Sequence, residues 1–339
     1  MKRASIALAK LLIALVVCAT LGWSALAVHY DALVGDTAKI AAIVVYLSLC
    51  CGIFCFVRPF LRALCLYCVL FALVLLWWFN IKPQMNRNWA LEYSELPSAE
   101  INGNLLTIHN LRDFEYRSET DFTPHWETRT YDLSKVVGVD MFFSHWGSPN
   151  IAHTIASWEF DDGSHLAISI ETRREKGETY SSVAGFFRQY ELYYVVADER
   201  DLIGLRTNYR DEDVYLYRLG LTSDKARAGL VDYLETINQL SKEAKWYNAF
   251  FQNCTTTIRQ HASHVGAQGA WNWRMLVNGH LDELYYRRGG INNTMSFEEL
   301  KDRSHVNAKA LASGLTPEFA KIIRNGLPQR PSPINVTSK

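Results

Sequence analysis

The first 79 residues constrain this chain most. They hold three apolar, nearly uncharged runs, residues 6–28, 38–57 and 63–79, each near the roughly 20 residues needed to cross a hydrocarbon core. Backbone in lipid must satisfy its own hydrogen bonds, so these runs are read as three transmembrane helices. Lys10 lies where a long side chain reaches the headgroups. Trp77 and Trp78 end the third run and suit an interfacial aromatic belt. The connection 29–37 carries Asp31 and Asp36, and the connection 58–62 carries Arg58, Pro59 and Arg62. With Lys2 and Arg3 held in the cytoplasm beside Arg58 and Arg62, the chain leaves the third helix on the far side. The expected placement is the bacterial inner membrane, multi-pass, with the large domain in the periplasm. Ala25-Leu26-Ala27 also fits a signal-peptide cleavage site, and cleavage there would leave the large domain on the same side.

Residues 80–339 have the composition of an ordinary soluble domain, long enough to bury a sizeable core. The expected organisation is therefore a membrane anchor over 1–79 and an extracytoplasmic domain over 80–339. Lys plus Arg number 35 and Asp plus Glu number 35, a balance that argues against a nucleic-acid partner. The seven cysteines divide unevenly. Cys18, Cys50, Cys51, Cys55, Cys65 and Cys68 lie in the apolar part, where cysteine acts as a small hydrophobe, Cys65-x-x-Cys68 included. Cys254 alone lies in the soluble part, so it has no partner there for a disulfide.

Residues 80–100 read as a polar linker. Strands are expected at 104–110, 128–132, 136–143, 190–196 and 214–218, with a charged segment at 114–123. The clearest hairpin is 152–160, a turn at Asp161-Asp162-Gly163-Ser164, and 166–173, with Ala167, Ser169 and Glu171 on one face. Residues 197–213 read as a charged connection containing a short strand or helical turn. An amphipathic helix spans 221–242 behind the cap Thr222-Ser223-Asp224, and another begins near Asn253 and ends at Gly266. Helical stretches follow at 296–303 and 316–325. The fold class is α+β. There is no phosphate-cradling glycine motif and no strong zinc pattern, and no cofactor or metal is expected.

Cys254 is the candidate nucleophile. Asn253 is a good N-cap, which puts the thiol in a first helical turn, where unpaired amide N–H groups favour thiolate and could hold an oxyanion. A buried structural cysteine is the competing reading. The base must be a histidine brought close by folding. His153 begins a strand whose hairpin partner carries Glu171, which could orient the imidazole if register puts the two opposite each other; His145 is the alternative. Residues 171–180 are charged, either a solvated loop or a rim in which Arg173 and Arg174 meet anionic groups of a substrate. Asn253 and Thr255, beside the thiol, complete the candidate binding set.

The segments AHTIASWEF, SIETRREKGETYS, FRQYELYYVVADERD and WYNAFFQNCTTTIRQ resemble the Lnb N-terminal periplasmic domain family, over most of residues 95–330. The resemblance implies a papain-like, NlpC-type thiol fold in permuted order, histidine before cysteine, as in the lecithin retinol acyltransferase group. It implies Cys254 as nucleophile, His153 as base and Glu171 as third member. The activity it implies is transfer of an acyl chain from a lipid to the N-terminal amine of a lipoprotein, so the expected partners are the membrane and a lipid or lipoprotein substrate. A cell-wall amidase or peptidase, and a non-catalytic envelope binding protein, are the rival readings.

Overall fold

In the computed structural model, which describes residues 2–32, 34–267, 269–275 and 278–333, helices α1 (Lys2–Asp31), α2 (Asp36–Phe56) and α3 (Phe60–Asn80) follow the three apolar runs. The side chains of residues 2–4 and 6 lie outside the described set, and with them the Lys2 and Arg3 groups used to read orientation. All three helices are long and apolar enough to cross a membrane. Their few polar groups pair across helices, as lipid demands. Tyr67 OH lies 2.6 Å from Thr20 Oγ1, and Trp78 Nε1–H donates to Asp31 at 2.6 Å. Cys65 and Cys68 are exposed, unbridged thiols on α3.

The chain divides into two contact units. One comprises Met1–Gln84 with Tyr180–Tyr190, and the other Met85–Thr179 with Glu191–Lys339. The division thus falls after residue 84 rather than 79, and a segment from the second half of the chain belongs with the helices. Within that first unit Phe187 stacks on Tyr30 with ring centroids 5.2 Å apart. Arg188 lies 4.3 Å over the Trp78 ring and donates to the carbonyls of Phe79 and Ile81.

The second unit is built on a largely antiparallel sheet. Its elements in chain order are β1 (Ser98–Asn102), β2 (Leu105–Arg112), the short pair β3 (Glu115–Tyr116) and β4 (Phe122–Thr123), β5 (Trp126–Asp132), β6 (Val136–His145), β7 (Ala152–Phe160), β8 (His165–Arg173), β9 (Glu191–Ala197), α4 (Glu199–Asn208), β10 (Asp213–Arg218), α5 (Ser223–Leu240), α6 (Cys254–His264), α7 (Leu281–Arg287), α8 (Phe297–Ser304), α9 (Asn307–Ser313) and α10 (Phe319–Ile323). Strand order is β1-β2-β9-β8-β7-β6-β10, with β5 also paired to β2. This is the expected α+β class.

Helices cover both faces of the central strands, which is why β7 and β8 are buried almost end to end. On β7, Ile155 joins a core with Leu202 and Ile203 of α4, Val306 just before α9, Ala310 of α9, and Phe319 and Ile323 of α10. One residue away in the pleat the side chains point to the other face. There Trp158 donates to the Ala226 carbonyl of α5 and meets Tyr233 edge-on. Each such fully buried large side chain contributes about 1.5–3 kcal/mol.

Two expectations need correction. The connection over 197–213 holds not a short strand or single helical turn but a ten-residue helix, α4. Its charges are buried partners, not solvent groups. Asp198 caps it, Asp201 takes a bidentate Arg112 at 2.7 and 3.0 Å, and Glu199 takes Arg324. Unpaired, any of these would cost several kcal/mol to bury. The segment 114–123 is not simply charged either. Phe114 stacks on Phe122 at 5.2 Å, which makes β3 and β4 a small hairpin over α4.

Candidate active site

Asn253 is the N-cap of α6, with extended backbone at φ −98° and ψ 176°. Its side-chain oxygen accepts from Thr256 N at 2.9 Å, and Thr256 Oγ1 accepts from Asn253 N–H at 3.0 Å. This reciprocal capping box fixes where the helix starts. Cys254 is therefore the first helical residue, where amide N–H groups have no intrahelical partner. The Asn253 amide is consumed by the cap and by a bond to Ala249 O at 2.7 Å, so it holds the helix start instead of facing a substrate.

The hairpin supplies the histidine. The register pairs Ile155 with Ser169, and continued by two residues it sets His153 opposite Glu171, although the ladder itself stops at Ile155. His153 Nε2 lies 2.6 Å from Ser169 Oγ and 3.0 Å from Glu171 Oε1, while Ser169 Oγ–H donates to that carboxylate at 2.7 Å. Nε2 is thus engaged by two acceptors, which leaves Nδ1 as the ring nitrogen free to interact with Cys254, the group that raises the His153 pKa alongside Glu171. The backbone amide of Thr154, one residue beyond the last β7–β8 pair, favours the Cys254 thiolate.

His153 shares the α4 face of the sheet with Ile155. Helix α6 packs on the other face, where His261 bonds Tyr194 at 2.8 Å. The two reactive groups approach from opposite faces and meet where the ladder has ended.

The electrostatics follow from this geometry. Burial disfavours charge on all three groups. At His153 burial is outweighed by Glu171, with the Cys254 bond adding, and its pKa rises to about 9. At Cys254 burial pushes the thiol up, but the bond to His153, its charge and the Thr154 amide bring it below the usual thiol value. Glu171 is held well below the usual carboxylate range against its burial, by His153 and then Arg206. The arrangement favours a thiolate–imidazolium pair backed by a carboxylate.

Further groups that the sequence reading did not assign to the site complete it. Arg206 of α4, only 6% exposed, donates to Glu171 Oε1 at 2.7 Å and turns its other nitrogen to Glu212 at 3.2 Å. Ser144 Oγ–H donates in turn to Glu212. Asn278 accepts from the Ala152 amide at 3.0 Å and donates to Thr255 Oγ1 at 3.2 Å, with its nitrogen 4.0 Å from Cys254 Sγ. Ser169 could have been found from its place on the Glu171 face. Arg206 and Asn278 lie 35 and 24 residues from the groups they touch and carry no local signal.

Thr255 is buried beside the thiol, its oxygen 3.9 Å from Sγ and bonded to Asn278. Arg173 and Arg174 do not form a free rim. Arg173 is buried, donates to the carbonyls of Tyr93 and Ser94, and lies 4.2 Å over Trp89. Arg174 bonds Tyr93 OH and lies over the Tyr93 ring. Both clamp the segment preceding β1 onto the sheet. His145, the alternative base, packs edge-on against Tyr215, and burial lowers its pKa.

Residues 122–279 match the family model described as the Lnb N-terminal periplasmic domain. No curated protein and no solved structure matches the chain. The matched span contains Cys254, His153, Glu171, Arg206 and Asn278, and it is followed by helices α7 to α10. Over residues 122–279 the chain is similar to the Lnb N-terminal periplasmic domain family.

Proposed function

We propose that this is a thiol acyltransferase or hydrolase, anchored in the inner membrane by α1–α3 with its large domain in the periplasm. The observation that carries the reading is the convergence of Cys254, His153 and Glu171, with the thiol pKa lowered and the imidazole pKa raised. The Cys254 thiolate attacks an ester carbonyl and a C–S bond forms. The tetrahedral oxyanion is held by amide N–H groups at the start of α6. The C–O bond to the leaving alcohol breaks as His153 Nδ1–H gives that alcohol its proton. An amine or water then attacks the thioester, its proton passes to His153, and Cys254 leaves as thiolate. Glu171 holds Nε2 throughout. No cofactor takes part in these steps. The acceptor we favour is the N-terminal amine of a lipoprotein, a choice that rests on the family resemblance.

The test is intact-mass and peptide mass spectrometry of full-length protein incubated with diacyl phospholipid. An acyl adduct on Cys254, absent from Cys254→Ala, supports the reading. If Cys254→Ala keeps full turnover, or if the protein cleaves muropeptides and never acquires an acyl group, the lipid assignment fails.

A further inference from the structure

A second cluster of chemically capable side chains lies on the far end of the same helix. Asp232 comes from α5, and His261 and His264, one helical turn apart, come from α6. His261 Nδ1 lies 2.5 Å from Asp232 Oδ2, and His264 Nδ1 lies 2.8 Å from Asp232 Oδ1. These ligand atoms all fall within 4.8 Å of one another.

We propose that Asp232, His261 and His264 form a zinc site that clips α5 to α6. Two imidazole nitrogens and a carboxylate oxygen are a set that suits a borderline divalent ion in tetrahedral coordination, with water as the fourth ligand. Zn²⁺ at roughly 2.0–2.2 Å from each donor replaces the two Nδ1 protons that otherwise bind the carboxylate. The outer contacts are those of a built site. His261 is buried, its Nε2 bonds Tyr194 OH at 2.8 Å, and its ring stacks on Tyr233 at 3.8 Å, which fixes the orientation of Nδ1. His264 is half exposed and gives the ion a route from solvent.

A second cluster, Asp113, His125 and Glu127, does not compare. Its carboxylates are already committed to Arg200 and Arg129. The Asp232 site is structural. His261 stands seven residues along α6 from Cys254, about 10 Å at 1.5 Å per residue, so the ion stays clear of the reacting atoms.

The experiment is a calorimetric Zn²⁺ titration of EDTA-stripped full-length protein in detergent, with Co²⁺ absorption as a second readout. The wild type is expected to take up one equivalent and to melt at higher temperature when loaded. His264→Ala and Asp232→Asn are expected to weaken binding by roughly tenfold or more. His264 is exposed enough that its variant keeps the metal-free melting temperature, which separates lost binding from lost folding. Cys254→Ala and His125→Ala should bind as the wild type does. No saturable uptake by the folded wild type overturns the site, as does uptake that survives both cluster variants or depends on Cys254 or His125.

Discussion

Glu171 Oε1 lies 3.0 Å from His153 Nε2, at a point where no backbone ladder joins their strands. The last β7–β8 pair is Ile155 with Ser169, so the two side chains hold each other where the backbones have parted. The unpaired ends of β7 and β8 lie beside Cys254, whose thiolate is favoured by His153 and by the Thr154 amide.

The Cys254 thiol pKa is lowered and that of His153 is raised to about 9, so the ion pair persists between them. Alkylation of Cys254 by iodoacetamide is expected to reach half-maximal rate at lower pH than in the urea-unfolded chain. It should stay fast above pH 9, where the thiolate survives. Acyl turnover should fall there, because His153 no longer carries the proton for the leaving group. Rates measured from pH 5 to 10.5 test both limbs.

Glu171→Gln keeps the shape and removes the charge that raises His153. The alkaline limb of turnover should move downward from about 9, and NMR titration of the His153 ring should follow it. An unmoved imidazole titration would falsify the role given to Glu171.

Arg206 is buried between Glu171 and Glu212. Arg206→Met leaves two carboxylates without their shared cation and should lower unfolding free energy by about 3–5 kcal/mol, read by denaturant titration. Arg206→Lys, which keeps charge but cannot span both carboxylates as a fork, should lose less.

Asn278→Ala removes the acceptor for the Ala152 amide and the donor to Thr255. The expected loss is about 1–3 kcal/mol, with slower Cys254 alkylation because the helix start is no longer tied to β7. Gly279→Ala should act on the same junction. Its Cβ would fall 2.2 Å from Pro149 O and 2.4 Å from the Asn150 carbonyl carbon, backbone atoms that cannot step aside.

Local pattern carried much of the fold. Period-2 alternation located β2 and the β7–β8 hairpin, and β-former content located β6, β9 and β10, to within a few residues, while the caps Thr222 and Asn253 located the starts of α5 and α6. It failed at α4, because Glu199, Asp201 and Arg206 read as solvated charge until Arg324, Arg112 and Glu171 are seen against them. It failed equally at Arg173 and Arg174, whose neighbours in sequence are charged but whose contacts are the aromatic rings of Trp89 and Tyr93.

Three properties were set by the chain alone: three apolar runs of membrane-spanning length, a solitary cysteine behind a capping residue, and a hairpin that carries His153 on one arm and Glu171 on the other. Each depends on neighbours in sequence, where period, cap chemistry and turn position act directly. The tertiary structure decided that His153 Nε2 faces Ser169 and Glu171, that Ser169 and Arg206 hold Glu171, that Asn278 ties the helix start to β7, and that Arg173 and Arg174 serve the fold. Those outcomes depend on groups dozens of residues apart brought within hydrogen-bond reach, where burial makes every unpaired charge costly and so selects the partners.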